Sequence, residues 1–283
     1  MCAMTSAAHP GTLITVAPTG AETAKDDFPA LPTTLVELTE TAVRCEAAGA
    51  AMIHLHIRDE AHRPTLETAH LAAAVNAVRE QTSLVVQLST GGSVHDPLDT
   101  RLTVLDADPD SCSLTMGTVN FGDDVFLNPW PFICDLYQLS QERHVVPEFE
   151  LFDLGHVAAL HRLLDRYGLP FGERVHCDLV MGVPGGMPGT VEALVAAVQA
   201  LPESTTSWSA TGIGRTSLAV AFASLSAGGH LRVGMEDTLT LARGVPVRHN
   251  AELVERAARL AEMAQRPAMS TADARELLQV KPR

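Results

Sequence analysis

Short apolar runs alternate with longer amphipathic segments along almost the whole chain. The apolar runs are typical of buried strands, and the segments between them are rich in Ala, Leu, Glu and Arg, which favour helix. The predicted strands cover residues 13–17, 51–57, 83–89, 111–116, 145–150, 174–181, 205–210 and 230–235. The predicted helices cover residues 34–48, 66–81, 97–106, 129–143, 154–167, 190–201, 215–226 and 250–265.

Strands that alternate with helices predict an α/β fold with a parallel sheet. Eight such units fit a closed (β/α)8 TIM barrel, and a doubly wound open sheet is the alternative. No Gly-x-Gly-x-x-Gly follows the first strand, which weakens a dinucleotide-binding open sheet. Residues 271–280 predict a short extra C-terminal helix, which Ser270 or Thr271 would cap. We therefore expect one barrel domain over residues 1–283, with residues 1–11 as a flexible N-terminus.

The second predicted strand ends in the run Met52-Ile53-His54-Leu55-His56-Ile57-Arg58-Asp59. Alternate side chains of a strand share a face, so His54, His56 and Arg58 point one way. An imidazole among packed aliphatic side chains needs a polar partner, and two imidazoles at i and i+2 can both reach one metal ion. The pair alone is equally compatible with two core histidines whose hydrogen bonds are satisfied within the protein.

The last predicted strand supplies acidic candidates, since Arg232 and Glu236 share one of its faces. If the barrel closes, this strand lies beside the first strand, which lies beside the second. Glu236 would then approach the two histidines and complete a metal site with open positions. A salt bridge between Glu236 and Arg232 is the alternative. Asp237 is a candidate general base beside this site, or a cap of the following turn.

Other polar residues collect where predicted strands end, which is where barrels carry their active sites. Turns with exposed backbone N–H groups suit anions, although each is also compatible with a simple tight turn. The candidates for a phosphate are Gly185, Gly186, Gly214 and Arg215, and those for a carboxylate are Ser89, Thr90, Gly91 and Gly92. The acidic positions expected at the mouth are Glu22, Glu148 and Glu150, which could hold a cationic group or pair with Arg58 and Arg63.

The amino-acid composition argues against several classes of binding partner. The chain has 283 residues, 46% of them hydrophobic, which is enough for a large core. A net charge of −14 argues against nucleic acid or an anionic membrane as the main partner. Five scattered cysteines without Cys-x-x-Cys favour a reducing, cytoplasmic location. Neither a signal peptide nor a membrane-spanning apolar run is expected.

Together the motifs resemble the β-keto acid cleavage enzyme family, whose type member acts on 3-keto-5-aminohexanoate. The resembling stretches follow the family's order along nearly the whole chain: residues 19–22, 54–59, 89–92, 120–122, 147–153, 182–188, 212–215, 232–237 and 250–260. The resemblance implies a zinc-dependent (β/α)8 barrel that uses acetyl-CoA and forms a homo-oligomer, often a tetramer in this family.

The resemblance also implies residue roles. His54, His56 and Glu236 match the zinc ligands, while Arg232 and Asp237 match the residues that activate the β-keto acid. Ser89 and the Gly91-Gly92 turn match the part that holds its carboxylate. The implied reaction joins the enolate of a β-keto acid to acetyl-CoA, moves CoA to the former C3 carbonyl, and releases acetoacetate and a new acyl-CoA. The CoA tail would meet cations from the set Arg63, Arg215, Arg243 and Arg248.

The chain departs from the family pattern at the expected mouth. Asn and Leu are expected within the stretch 115–118, which here reads Thr-Met-Gly-Thr, and Asn is expected at Thr238. Thr115 is a candidate substrate contact, so these departures bear on the substrate more than on the reaction.

Two other functions fit parts of the pattern. A zinc amidohydrolase also uses His-x-His in a barrel, but it would place the pair on strand one and further histidines on strands five and six. A non-catalytic barrel that binds a CoA ester or a keto acid would need no base beside a metal.

Overall fold

The computed structural model describes residues 11–282, and its centre is a closed barrel of eight parallel strands. The strand order around the barrel is β1-β8-β7-β6-β5-β4-β3-β2, which confirms the predicted (β/α)8 architecture. The bounds are β1 Ile14–Val16, β2 Met52–Leu55, β3 Val85–Leu88, β4 Ser111–Thr115, β5 Val146–Leu151, β6 Val175–Met181, β7 Thr205–Gly212 and β8 His230–Val233. Residues 1–10, most of the expected flexible N-terminus, lie outside the described residues.

Helices follow the barrel strands as predicted. Their bounds are α1 Leu35–Ala47, α2 Thr68–Gln81, α3 Leu98–Leu102, α4 Trp130–Arg143, α5 Leu154–Tyr167, α6 Val191–Ala200, α7 Ser217–Ser226, α8 Asn250–Met263 and α9 Thr271–Leu278. The predicted helix 97–106 is α3 followed by the 3-10 helix Thr103–Ala107. The β-branched pair Thr103 and Val104 lowers helix propensity at this junction. None of the helices within residues 11–282 combines the length and the apolar character that crossing a bilayer requires.

The short C-terminal helix α9 closes the N-terminal end of the barrel. Ser270 caps it, as predicted, in a capping box with Asp273. Its buried residues Ala274, Leu277 and Leu278 join one apolar cluster with barrel residues that include Leu13, Met52, Val85 and Val146. Burial of this apolar face holds the helix in place, since a short helix is unstable alone.

The remaining core lies between the barrel and the surrounding helices, in two apolar clusters. Beyond the apolar cluster that α9 forms at the N-terminal end, the interior of the barrel is polar. Side chains at most 2% exposed line it from seven strands: Thr15, His54, Gln87, Ser111, Ser113, Glu148, His176, Asp178 and Ser209. A polar interior must be hydrogen bonded throughout, so these residues constrain one another's orientation.

Two hairpins decorate the C-terminal end of the barrel, and the hydrophobic pattern did not predict either of them. The first pairs Val119–Phe121 with Asp124–Phe126 after β4, and the second pairs Thr240–Ala242 with Val245–Pro246 after β8. Both hairpins consist of strands of two or three residues, which are too short to show a recognisable alternation of hydrophobic and polar positions.

The final barrel strand ends at Val233, two residues earlier than predicted. Gly234 has φ +156°, and a Cβ atom there would lie 1.9 Å from the Ala17 carbonyl oxygen. The chain therefore leaves the sheet at this glycine and turns, with the Glu236 N–H donating to the same carbonyl at 3.2 Å. Asn250 holds the turn by accepting from Met235 N–H at 2.8 Å. Glu236 thus enters the site from a turn, where we expected it on a strand.

Candidate active site

Three predicted metal ligands meet at the C-terminal mouth of the barrel. His54 lies on β2, His56 lies one residue past its end, and Glu236 lies in the turn after β8. Glu236 Oε1 is 3.7 Å from His54 Nε2 and 3.6 Å from His56 Nε2. One candidate ligand atom from each residue lies within 4.8 Å of the others. Gly20, at φ +65°, makes room for this arrangement, since a Cβ there would lie 2.7 Å from Glu236 Cγ.

The charge states of the three residues suit a divalent cation. Burial lowers the pKa of His54 and of His56, which keeps the imidazoles neutral and their lone pairs available. Burial alone would raise the pKa of Glu236, but Arg232 and the two histidines lower it to about 2. Its buried Oε2 has no hydrogen-bond partner among the described residues. Two neutral imidazoles and a carboxylate with an unsatisfied oxygen fit Zn²⁺ or a related divalent ion.

Arg232 connects the triad to two further carboxylates. Its Nη2 donates to Glu236 Oε1 and, at 3.1 Å, to Asp237 Oδ1, while Nη1 donates to Glu150 Oε1 at 3.2 Å. Burial would lower the pKa of Arg232, yet the carboxylates around it raise it well above the usual value. The salt bridge that we considered as the alternative to a metal site is therefore present, and it coexists with the convergence of the three ligands.

Asp237 lies against Arg232 and has a perturbed carboxyl group. It is 5% exposed, and burial raises its pKa to about 7 despite the attraction of Arg232. A carboxyl that titrates near neutrality can take up and return a proton at working pH. Thr115, the predicted substrate contact, donates to Glu150 Oε2 at 2.7 Å, so its hydroxyl belongs to the network beside Arg232.

The turn after β3 contains the residues predicted to hold a carboxylate. Ser89 is 5% exposed, and its Oγ accepts from Gly91 N–H at 3.2 Å. Thr90 anchors the turn, because its Oγ1 donates to the Ser113 carbonyl at 2.6 Å. Gly92 has φ +59°, which glycine adopts without strain. The structure thus forms a defined turn beside the mouth, and its role in substrate binding stays a prediction.

A buried arginine that sequence reasoning missed holds this turn. Arg101 is 2% exposed, and its guanidinium donates to Thr90 O at 2.7 Å, Leu127 O at 2.7 Å and Asn128 Oδ1 at 2.5 Å. It also stacks on Phe126 of the first hairpin, 4.9 Å from the ring centroid. Arg101 therefore ties the Ser89 turn to the hairpin after β4.

The three acidic positions expected at the mouth separate in the structure. Glu22 is exposed in the loop after β1, near Arg58, whose Nη2 donates to Gly20 O at 2.7 Å. Glu150 contacts Arg232 as described. Glu148 is 2% exposed and lies one layer below the mouth, because its carboxylate already contacts Gln87 and His176. The expectation that Glu148 lies at the mouth is therefore wrong.

Two of the glycines predicted to bind phosphate, Gly186 and Gly214, use their N–H groups within the protein. Gly186 N–H donates to Val183 O at 3.0 Å, and Gly214 N–H donates to Asp237 O at 2.7 Å. A Cβ at Gly185 would lie 2.1 Å from Asn120 O, so this glycine allows the loop after β6 to pack on the first hairpin. Arg215 is exposed at the start of the following helical segment. A phosphate contact by these residues stays a prediction, with Arg215 as its exposed donor.

Gln87 is the other functional candidate that sequence reasoning missed. It lies on β3, fully buried, and its Oε1 is 2.5 Å from His54 Nδ1. The signal was present in the sequence, since an amide inside the apolar run Val85–Leu88 needs polar partners within the barrel.

The fold and the site together define a TIM-barrel enzyme in which three candidate metal ligands lie beside a buried arginine and a carboxyl of raised pKa. The family model for the beta-keto acid cleavage enzyme matches residues 12–280. The chain belongs to the β-keto acid cleavage enzyme family, which confirms the resemblance inferred from its motifs.

Individual relatives agree with this assignment. The chain is 35% identical over 268 residues to the 3-keto-5-aminohexanoate cleavage enzyme of Acetoanaerobium sticklandii, covering 94% of this chain and 97% of that protein. It is 34% identical over 272 residues to the 3-oxoadipate:acetyl-CoA acetyltransferase of Cupriavidus necator, covering 94% of each. The solved ternary complex of ObcA with C4-CoA adduct and oxalate has a TM-score of 0.80 at 21% identity, covering 89% of this chain and 68% of that one, and shows the shared fold.

Proposed function

We propose that this protein is a zinc-dependent acyltransferase that cleaves a β-keto acid with acetyl-CoA. The observation that carries the proposal is the convergence of His54, His56 and Glu236 beside Arg232 and Asp237 at one barrel mouth. Family membership supports the reaction class, and a relative named as an acetyl-CoA acetyltransferase supports the acyl donor.

The reaction balances without an external oxidant or reductant. A base removes a C2 proton from the β-keto acid, and the carbanion forms a carbon–carbon bond to the acetyl carbonyl as the CoA thiolate leaves. The thiolate then adds to the original C3 ketone, and the C2–C3 bond breaks. The products are a new acyl-CoA and acetoacetate, whose carbanion takes a proton back.

The chain supplies the groups that this sequence requires. Asp237 accepts the C2 proton and later returns it, because its carboxyl titrates near neutrality. Arg232 keeps a fixed positive charge that would stabilise the negative charge developing on the substrate. Ser89 and the turn after it orient the substrate carboxylate. A zinc ion held by His54, His56 and Glu236 would supply Lewis-acid polarisation of a carbonyl.

The exposed arginines at the loops provide the CoA contacts in this proposal. Arg215 and Arg243 are exposed, and they lie in loops that follow β7 and β8. Arg63 and Arg248 are already paired with Asp59 and Glu252, so we rank them lower. We further propose a cytoplasmic homo-oligomer, as the cysteine pattern and the family resemblance imply.

The relatives are named for different β-keto acids, among them 3-keto-5-aminohexanoate, 3-oxoadipate and 3-dehydrocarnitine, so residues at the mouth would select the substrate. The positions that would select the substrate are Thr115 at the end of β4, Gly117 just after it, and Glu22 in the loop after β1.

The decisive experiment incubates pure protein with acetyl-CoA and a panel of cationic, neutral and dicarboxylic β-keto acids, and follows acetoacetate and acyl-CoA by mass. We expect acetoacetate with at least one acid, lost in His54→Ala and Glu236→Gln and retained in the control His161→Ala, whose histidine is exposed on α5. Release of ammonia or carboxylate from an amide without use of CoA would replace the proposal with a hydrolase. Undiminished turnover after exhaustive chelation would remove zinc from it.

A further inference from the structure

We infer that Glu148 is a positioning residue that fixes the tautomer of the candidate metal ligand His54, acting through the amide of Gln87. The inference rests on the proposed metal site and adds to it a buried relay that selects which imidazole nitrogen faces the cation. Metal ligands of this type depend on the hydrogen bond made by their second ring nitrogen.

The relay consists of short buried contacts across four neighbouring strands, β2 to β5. His54 Nδ1 lies 2.5 Å from Gln87 Oε1, and Gln87 Nε2 lies 3.3 Å from Glu148 Oε1. Gln87 Nε2 also lies 3.1 Å from Ser111 Oγ. All four residues are at most 2% exposed, so water does not compete for these groups.

The direction of the relay follows from what each group can donate. An ionised carboxylate only accepts hydrogen bonds, so Glu148 requires the NH₂ end of Gln87 on its side. The carbonyl end of Gln87 then faces His54 and requires a proton on Nδ1. Nε2 of the neutral imidazole is left with its lone pair, and this is the nitrogen that faces Glu236 at 3.7 Å.

His176 supports the ionised state of Glu148. His176 Nε2 lies 3.1 Å from Glu148 Oε2, and its Nδ1 lies 2.7 Å from Ser207 Oγ. Burial alone would raise the pKa of Glu148, but the hydrogen bond and charge of His176, together with the charge of Arg232, lower that pKa. The carboxylate is therefore satisfied on both oxygens and stays an acceptor.

Ser111 provides a matched comparison, because it contacts the same amide nitrogen without fixing its direction. A hydroxyl both donates and accepts, so it satisfies either orientation of Gln87. Removing Ser111 deletes one hydrogen bond of the relay, whereas Glu148→Gln keeps the volume and removes the directionality.

The test measures zinc binding by metal-free protein against a competing chromophoric chelator. We expect E148Q and Q87L to weaken zinc binding about 10- to 100-fold, and S111A to change it less than about threefold. In the exchanged pair Q87E/E148Q, the carboxylate at position 87 accepts from His54 Nδ1, and the amide NH₂ at position 148 donates to that carboxylate. We expect this pair to recover affinity to within about threefold of wild type, which a purely structural role for Glu148 would not produce.

A second readout needs no metal. Two-dimensional ¹⁵N NMR of the imidazoles in the metal-free protein reports whether Nδ1 or Nε2 of His54 carries the proton. We expect the Nδ1–H form in wild type and a mixture of both forms in E148Q. Equal zinc affinities for E148Q and S111A, or an Nε2–H form of His54 in wild type, would overturn the inference. Failure of wild type to bind stoichiometric zinc would instead overturn the proposed metal site, and the NMR result would still decide the tautomer.

Discussion

Arg232 is the residue at which the charges of the site meet. One guanidinium contacts the carboxylates of Glu150, Glu236 and Asp237, so the buried cluster is acidic when all three are ionised. Burying unbalanced charge is costly. With all three carboxylates ionised, the cluster carries a net charge of −2, which a bound dication would neutralise. This charge balance supports the proposed metal site independently of family membership.

At the same scale, Asp237 is the residue whose replacement separates catalysis from metal binding. We expect Asp237→Asn to lower kcat about 10²- to 10⁴-fold, the usual contribution of a positioned base, because the amide cannot accept the C2 proton. Zinc content measured by atomic emission should stay at the wild-type value, since the three proposed ligands remain.

The control for that prediction is Asp165→Asn, which makes the same change at an exposed position on α5. It should leave kcat unaltered. If D237N kept wild-type kcat, Asp237 would not be the base, and if it lost zinc, its role would be structural support of Glu236.

At the scale of elements, the hydrophobic period located the barrel strands and their helices, because buried strands and amphipathic helices carry their own pattern. The predicted strand order also brought Glu236 close to His54 and His56, as the structure shows. The hydrophobic period missed both hairpins and extended the last strand through Gly234, since the contact of that glycine with Ala17 O is a tertiary event. Gln87 and Arg101 were missed because their partners lie on strands and loops that are distant in sequence.

The start of α1 shows how one element responds to pH. Thr34 and Glu37 form a capping box, and Glu37 also pairs with Lys25 at 2.8 Å. Burial would raise the pKa of Glu37, but Lys25 and the N–H groups of Thr33 and Thr34 lower it to about 2. This folded-state pKa lies below the unfolded value of 4.5, so its stabilisation is complete above about 4.5 and is lost as the pH falls toward 2.

We therefore expect Glu37→Gln to lower the free energy of unfolding by about 0.5–1 kcal/mol at pH 7, a modest amount because the side chain is 41% exposed. Urea unfolding at a series of pH values should show this difference shrinking to zero near pH 2. Glu40→Gln, on the exposed side of the same helix, is the control and should differ from wild type by less than about 0.3 kcal/mol. A pH-independent difference for E37Q would contradict the assignment.

At the scale of the whole molecule, the barrel separates function from stability between its two ends. The candidate metal ligands, Asp237 and the hairpins occupy the C-terminal mouth, while α9 seals the opposite end. Sequence predicted α9 and its cap, but not the ion pairs that fasten it, because Asp110 and Arg275 are distant along the chain. Substitutions in these ion pairs should therefore change the stability of the protein without changing its catalytic site.

Asp110 forms the ion pairs that hold α9 against the barrel. It is fully buried, and its two oxygens contact Arg79 Nη2 at 2.9 Å and Arg275 Nη2 of α9 at 3.0 Å. Breaking a buried ion pair costs roughly 3–5 kcal/mol, and because both arginines are partly exposed we expect Asp110→Asn to cost about 2–3 kcal/mol in urea unfolding. The kcat of the folded variant should match wild type, since the site lies at the other end of the barrel.

Asp106→Asn makes the same change in an exposed pair with Arg143 and should cost less than about 0.5 kcal/mol. Equal losses of unfolding free energy in D110N and D106N would show that Asp110 and its two arginines contribute no more than an ordinary surface pair. A fall in kcat in D110N below its unfolding transition would show instead that the floor of the barrel transmits strain to the mouth. In that case the polar interior, with Gln87 and Glu148 between the two ends, is the path through which the strain would reach His54.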